Sequence, residues 1–514
     1  MIWTTFLHAL ARDRELGGGR LALVDGEGSR SWGEVEARVL SLAGVLVEKG
    51  IGPGDRVALL AQNSAAFLEA TYAVARVGAV LVPLNLRLTA REQGAVLGDA
   101  EVRLLLHGDA LEGQAREAAQ VAGAQLEGKP ALEVIALEPI LREPSTTNAL
   151  PPAVARAADD PAQLYYTSGT TGRAKGVVLT QGNIVTHARN AIHELELAPT
   201  DRWAHIAPMF HLADAWATVA ITQAGGVHMF LPRFDAEEAL LLLEEQRITI
   251  TNLVPMMLNA MARHRTAGER DLSSLRLLLS GGAPIAPALV REIEDVFGCT
   301  YAQTYGLTET SPYLAISLLD ERHAELSADD QRAARARTGR PFHGVEVQVV
   351  DDSDREVPPD DSTVGEVRAR GTTVTPGYWQ RPEETAAALR GGWFYTGDLA
   401  TRDCLGSLRI VDRKKDMILS GAECIYSTEV EAVLFEHLGV FEAAVFGVPD
   451  EKWGEAVNAA VVLKSGIVVE VEELRTFCRE RLAGYKVPKV VHLMDELPRT
   501  GSGKVAKRLL RDRR

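Results

Sequence analysis

Apolar and polar positions repeat with two different periods along the chain. Arg56-Val-Ala-Leu-Leu is a continuous apolar run that predicts a buried strand. Ala65 to Val77 carries the spacing of a helix, and Ala79-Val-Leu-Val predicts another strand. Strand and helix alternating over residues 1–140 is the pattern of a mostly parallel α/β sheet. The stretch 143–163, rich in Pro and Ala, reads as a surface connection. Beyond it Ile184, Ala188, Ala191 and Leu195 share one helix face. Residues 248–254, 275–280 and 300–305 predict strands, with a helix over 286–297 ahead of the last.

From about residue 340 the period changes. Residues 345–350 and 365–370 alternate as half-buried strands do, which predicts a small antiparallel β-subdomain. After Asp412 the order becomes helix (428–438), strand (441–448), strand (456–463), helix (471–483) and strand (488–494). A tail of about 100 residues with that pattern has the size of a separate α+β domain.

Composition narrows the function. At 514 residues the chain exceeds one ordinary domain, and its apolar content of 46% and charged content of 24% are those of a globular protein. A net charge of −15 argues against a nucleic-acid binder while leaving room for a local cationic cleft. Cys299, Cys404, Cys424 and Cys478 are scattered, with no Cys-x-x-C pair, which disfavours a zinc site and a disulfide framework. The N-terminal MIWTTFLHALARDREL lacks a basic leader, and no apolar run approaches the ~20 residues that cross a bilayer. The expected setting is the cytoplasm, with no integral membrane association.

The densest chemistry lies in LYYTSGTTGRAKGVVLT, Leu164 to Thr180. Glycines let a backbone approach phosphate oxygens and turn N–H groups toward them; hydroxyls add neutral donors and lysine adds charge. Thr167, Ser168, Gly169, Thr170, Thr171, Gly172 and Lys175 supply all three, yet no Gly-Lys-Ser/Thr sequence of the commonest phosphate loop is present. Four further segments carry candidate chemistry. SGGAPI (280–285) ends a strand in glycines on which a flat base could lie. QTYGLTET (303–310) offers the Tyr305 ring for stacking, Glu309 as a hard oxygen ligand and the Thr308 hydroxyl beside it. In WFYTGDLA (393–400) and VDRKKD (411–416), Asp398 suits two ribose hydroxyls and Arg413 is a fork donor. LPRTGSGKVAKRLL (497–510) places Lys504 after a flexible Gly-Ser-Gly run. Taken singly, each of these four is also an ordinary turn, ion pair or solvated helix.

Together and in this order, YYTSGTTGRAKGVVLT, YGLTE, YTGDL, DRKKDMI and PRTGSGK resemble the adenylate-forming superfamily of acyl-CoA synthetases, peptide-synthetase adenylation domains and firefly-type luciferases. The resemblance covers essentially the whole chain and favours the acyl-CoA synthetase, or fatty-acid–CoA ligase, branch. It implies an α/β fold: a large N-terminal domain, 1–412, of parallel-type sheets with a small β-barrel-like subdomain over about 335–412, then a small mobile α+β domain, 413–514. It implies ATP, Mg²⁺ and coenzyme A as the partners of a small carboxylic acid. A homodimer is left open.

The resemblance also implies residue roles. The hydroxyl-rich loop holds the β- and γ-phosphates of ATP while a carboxylate attacks the α-phosphorus. Pyrophosphate leaves whole, so the γ-phosphoryl machinery of the commoner loop is not needed. Gly282, Ala283, Tyr305, Gly306 and Thr308 join Asp398 and Arg413 around AMP, Glu309 holds Mg²⁺, and Lys504 neutralises the transition state. Lys415 is the hinge. Gly421 and Ala422 line a pantetheine tunnel, Trp453 stacks on the adenine of coenzyme A, and Arg87 meets its phosphate. His211 sits at the mouth of an acyl pocket lined by Ala213, Ala215, Gly282, Tyr305 and Ser311, which predicts a monocarboxylic acid, aliphatic or aromatic.

Two departures mark this chain. The family's Gly-Gly-Glu-Asn is Gly421-Ala422-Glu423-Cys424, and Ser427 stands for a proline. In the register fixed by Trp216, Leu212 occupies the position of the ammonium-binding aspartate of amino-acid-activating relatives, with Asp214 two residues on. Alternatives are an acyl-AMP ligase or stand-alone adenylation enzyme serving a carrier protein and, in another class, a non-catalytic nucleotide-binding relative.

Overall fold

The computed structural model describes residues 1–125, 131–144, 153–168, 174–283, 285, 287–420, 423–499 and 505–512. They fall into two compact units, Met1–Val347 with Ala369–Phe394 and Gln348–Arg368 with Tyr395–Arg514. The expected α/β class is observed.

The first unit is built on two sheets. In one of nine strands, Leu21–Asp25, Val227–Phe230, Arg202–His205, Ile250–Leu253, Leu277–Ser280 and Thr300–Gly306 lie side by side and parallel, with antiparallel strands at both edges. In the other, of six strands, Glu133–Ala136, Leu104–His107, Arg56–Leu60, Val80–Pro83 and Pro161–Ser168 are parallel, and the hairpin partner Ala174–Thr180 closes the edge. The strand from Pro161 begins inside the stretch read as a connection: its leading residues are polar or Pro, but Ala162, Leu164 and Tyr165 are buried.

One apolar core joins residues of both sheets to the helices Trp32–Glu48, Ala65–Arg76, Gln181–Glu194 and Leu212–Ala224, with Trp32, Tyr72 and Trp203 almost fully buried. Side chains of that size contribute roughly 1.5–3 kcal/mol each on burial. Second and third cores cover the other face of each sheet, which is why the central strands read as continuous apolar runs. The helix Gln181–Glu194 starts directly after the hairpin because Thr180 caps it: the Thr180 hydroxyl accepts from Asn183 N, and the Asn183 side chain accepts from Thr180 N. Such a cap is worth about 1 kcal/mol.

The strands Glu346–Val350, Gly365–Arg370, Trp393–Arg402 and Leu408–Arg413 belong to one small sheet, of which the first two were anticipated from their alternation. The second unit continues with the helix Ser427–Glu436, the long antiparallel pair Val440–Asp450 and Gly454–Leu463, the helix Val471–Arg479 and the parallel strand Val490–Leu493. No helix among the described residues is long and apolar enough to cross a membrane.

Candidate functional site

In the first unit, the hairpin sets Thr167 opposite Lys175 and Ser168 opposite Ala174. Gly169, Thr170, Thr171 and Gly172 lie outside the described residues, as do Gly421, Ala422 and Lys504. Lys175 holds its ammonium 5.2 Å from the centre of the Tyr378 ring, within the range of a cation–π contact. The Tyr378 hydroxyl donates to Glu309 Oε1 at 2.9 Å. Glu309 is buried in the single turn Thr308–Thr310 that follows the strand Thr300–Gly306. Burial, and then the Glu309 carboxylate, push the Tyr378 phenol well above its ordinary pKa, so the hydroxyl remains a donor.

The segment 372–379 builds this arrangement. Val178 N donates to Gly377 O at 3.0 Å and Trp379 N to Gly176 O at 2.7 Å, so the segment adds itself to the hairpin edge. Thr375 N donates to Glu309 O at 2.8 Å, and the Thr375 hydroxyl to Val178 O at 2.6 Å. Asn183 Nδ2 reaches Thr372 O and Val374 O. Neither Tyr378 nor Thr375 was identified from the sequence. Their segment is uncharged, and the residues they meet are distant in the chain.

The parallel strands Leu277–Ser280 and Thr300–Gly306 end together. Gln303 Nε2 donates to Ala283 O at 2.8 Å, and Thr304 Oγ1 to Ser280 O at 2.9 Å. Gly282 has φ +84°, a left-handed backbone, and a Cβ there would meet Val254 Cγ1 at 3.9 Å, an ordinary van der Waals distance. Gly306 is held by close approach: a Cβ there would meet Pro312 O at 1.8 Å. Tyr305 is partly buried against Leu314, Val345 and Ala369, with Gly306 exposed beside it.

His211 immediately precedes the helix Leu212–Ala224 in extended conformation, its ring centre 4.7 Å from that of Phe210. Ala213 is exposed and Ala215 buried. The Ser311 hydroxyl is buried and donates to Thr373 O at 2.7 Å. Asp214 is fully buried and bonded through Oδ2 to His205 Nδ1 at 2.5 Å. His205 Nε2 in turn faces His228 Nδ1, and His228 Nε2 faces the Thr222 hydroxyl, each at 3.0 Å. Asp214 is therefore committed to an internal chain. Arg87 is exposed, with its backbone N–H held by Asn85 Oδ1.

In the second unit, considered by itself, Asp398 pairs with Arg413 across adjacent strands at 3.2 Å. The carboxylate is buried and the guanidinium half-exposed. Lys414 meets Glu366 at 3.0 Å, a contact that raises its ammonium above the usual lysine range. Lys415 is exposed; partial desolvation, then the nearby Arg413 charge, lower its pKa. Trp453 is 41% exposed, with the ammoniums of Lys452 and Lys489 at 4.7 and 5.2 Å from its ring. Asp450 fixes that turn by accepting from the backbone N–H groups of Lys452 and Trp453. Beyond 500–504, Lys507 on the helix Lys507–Arg511 binds Glu431 at 2.7 Å and the Ser427 hydroxyl at 2.6 Å.

Comparison with known proteins shows the family of the chain. Residues 11–379 match the family described as AMP-binding enzyme, and residues 429–504 match the AMP-binding enzyme C-terminal domain. A feruloyl-CoA synthase of Amycolatopsis sp. is 40% identical over 484 residues, 94% of each chain. The o-succinylbenzoate CoA synthetase MenE of Bacillus subtilis, solved with its acyl-adenylate intermediate, superposes with a TM-score of 0.86 at 30% identity, covering 99% of this chain and 98% of that one. ATP-bound MatB of Rhodopseudomonas palustris gives 0.84 at 30% identity, covering 96% and 95%.

Proposed function

This chain belongs to the family of AMP-binding enzymes, and from that premise we propose how its residues carry out the reaction of an AMP-forming acid–CoA ligase. The enzyme activates a carboxylic acid with ATP and passes the acyl group to the thiol of coenzyme A. The observation that carries the residue assignment is the row Lys175–Tyr378–Glu309, which sets a cation over the face of one ring and a buried carboxylate at its hydroxyl.

In the first step the substrate carboxylate attacks the α-phosphorus. The P–O bond to pyrophosphate breaks and an acyl-adenylate forms. Lys175 and the backbone of residues 167–172 receive the β- and γ-phosphates at the end of the hairpin. The base lies along the strand ends at Gly282, Ala283, Tyr305 and Gly306; Asp398 accepts from the ribose hydroxyls and Arg413 donates to them. Lys504 meets the charge that builds on the α-phosphate, a contribution worth about 100-fold or more in rate. In the second step the coenzyme A thiol attacks the acyl carbon and AMP leaves. Trp453 receives the adenine of coenzyme A, Arg87 its phosphate, and Gly421 and Ala422 border its pantetheine arm.

Glu309 and Thr308 suit magnesium. The described residues contain no cluster of three or more His, Cys, Asp or Glu able to hold a metal, and magnesium takes one or two carboxylates and completes its shell with phosphate oxygens and water. When bound, the ion neutralises charge on the departing pyrophosphate.

For the acid, we propose a monocarboxylate, with aromatic and arylalkenoic acids first, as the feruloyl-CoA synthase relative suggests. His211 stands at the pocket mouth, and the small Ala213 and Ala215 leave room for a flat or extended chain. Amino acids are disfavoured because the carboxylate of Asp214 is already bonded to His205. The test is a panel of carboxylic acids assayed separately for pyrophosphate release and coenzyme A consumption. Release and consumption together with an arylalkenoic acid are expected. Release without consumption for every acid would replace the ligase reading with an acyl-AMP ligase, and no release would sink both.

A further inference from the structure

We propose that Tyr378 is a positioning residue for the adenylation step, orienting the Glu309 carboxylate toward the metal while its ring holds Lys175 in line with the phosphates. The inference rests on the reading of Glu309 as the Mg²⁺ ligand and adds the residue that aims it. Three observations carry it. The Tyr378 hydroxyl is 2.9 Å from Glu309 Oε1, so one carboxylate oxygen is occupied by a donor and the carboxylate is held in a defined plane. The ring face lies 5.2 Å from the Lys175 ammonium, which restricts a side chain that otherwise has four free torsions. The backbone of Tyr378 is itself fixed, bridged to Val177 and donating to the Thr385 hydroxyl at 3.0 Å. Hydroxyl and ring thus point from one rigid mount at two groups that must act on the same triphosphate.

The prediction separates the two contacts. Tyr378→Phe keeps the ring and removes the donor; Tyr378→Leu removes both; Glu309→Gln removes the metal's carboxylate. ATP binding is measured by calorimetry with and without Mg²⁺, and KM for MgATP and kcat are measured in ATP–pyrophosphate exchange. Tyr378→Phe is expected to lower the Mg²⁺-dependent part of ATP affinity about tenfold, the range for one hydrogen bond to a charged group, with metal-free ATP affinity unchanged. Tyr378→Leu is expected to lower metal-free affinity as well. A merely structural role would move metal-free and metal-bound affinity together, and that pattern in Tyr378→Phe overturns the proposal. Unchanged Mg²⁺ dependence in Tyr378→Phe alongside a large loss in Glu309→Gln also overturns it. Unchanged Mg²⁺ dependence in Glu309→Gln overturns the underlying assignment of Glu309, and the proposal falls with it.

Discussion

Single residues separate into those whose chemistry is local and those whose role is made by distant contacts. Lys175, Glu309, Asp398 and Arg413 were nominated from the sequence because each stands in a short string that resembles a family motif. Tyr378 was not, because its partner Glu309 lies 69 positions away and nothing in its own segment announces a polar role. His187 is the same kind of case. On the helix Gln181–Glu194 it reads as an ordinary polar position. In the fold it is fully enclosed, stacked 5.7 Å from Phe342 and edge-on to Trp216. Burial pushes its pKa down from 6.5 to about 3. The unfolded chain therefore binds a proton that the folded one refuses. The resulting contribution is fully present above pH 6.5, declines as pH falls below it, and levels off only near pH 3. Each unit of pH within that window costs about 1.4 kcal/mol. His187→Phe, which keeps a ring for Phe342, is expected to flatten the fall in melting temperature between about pH 6.5 and 5 relative to wild type. Parallel pH curves for the two proteins would show that His187 titrates normally.

Elements were more legible than residues, since periodicity reports burial and burial makes the element. Strands at 56–60, 277–280 and 300–306 and the helix 287–297 fall where their apolar spacing put them. The terminal basic helix is the exception: its sequence gives no sign of what anchors it. Lys507 inserts its ammonium among Glu431, the Ser427 hydroxyl and the nearby Asp412, and Arg511 pairs with Asp416 at 3.0 Å. Burial raises the Glu431 pKa, while Lys507 acts to lower it, so the two charges depend on each other. Both side chains are 16% exposed, so removing one partner leaves the other uncompensated at somewhat less than the about 3–5 kcal/mol of a fully buried pair, whereas replacing both with apolar groups is often neutral. Lys507→Met is thus expected to lower the calorimetric melting temperature strongly, and Lys507→Met combined with Glu431→Leu to recover most of the loss. Additive losses in the double variant would mean that the pair is not coupled.

At the scale of the whole molecule, the reaction sets a problem that one fixed arrangement of groups cannot meet. The α-phosphate needs a cation in the first step, and the acyl carbon needs an open path for a thiol in the second. On the roles proposed above, a lysine delivered by a small C-terminal domain and then withdrawn would solve both, with Lys415 as the pivot. The residue suits that role: it is exposed and lies between Lys414, whose ammonium is held by Glu366, and Asp416, which is held by Arg511. Asp416 N and Met417 N both donate to Arg413 O across Lys415, so a change in its backbone angles would open that one turn. Proline there fixes φ near −65°. Lys415→Pro is expected to retain acid-dependent ATP–pyrophosphate exchange and to lose thioester formation from the acyl-adenylate. Lys504→Ala is expected to do the reverse, losing exchange about 100-fold or more while still passing a supplied acyl-adenylate to coenzyme A. Two variants that each spare the half-reaction the other loses would require two states of one chain. If either variant lost both half-reactions equally, with an unaltered melting temperature, the pivot and the mobile lysine would have to be abandoned in favour of a single site.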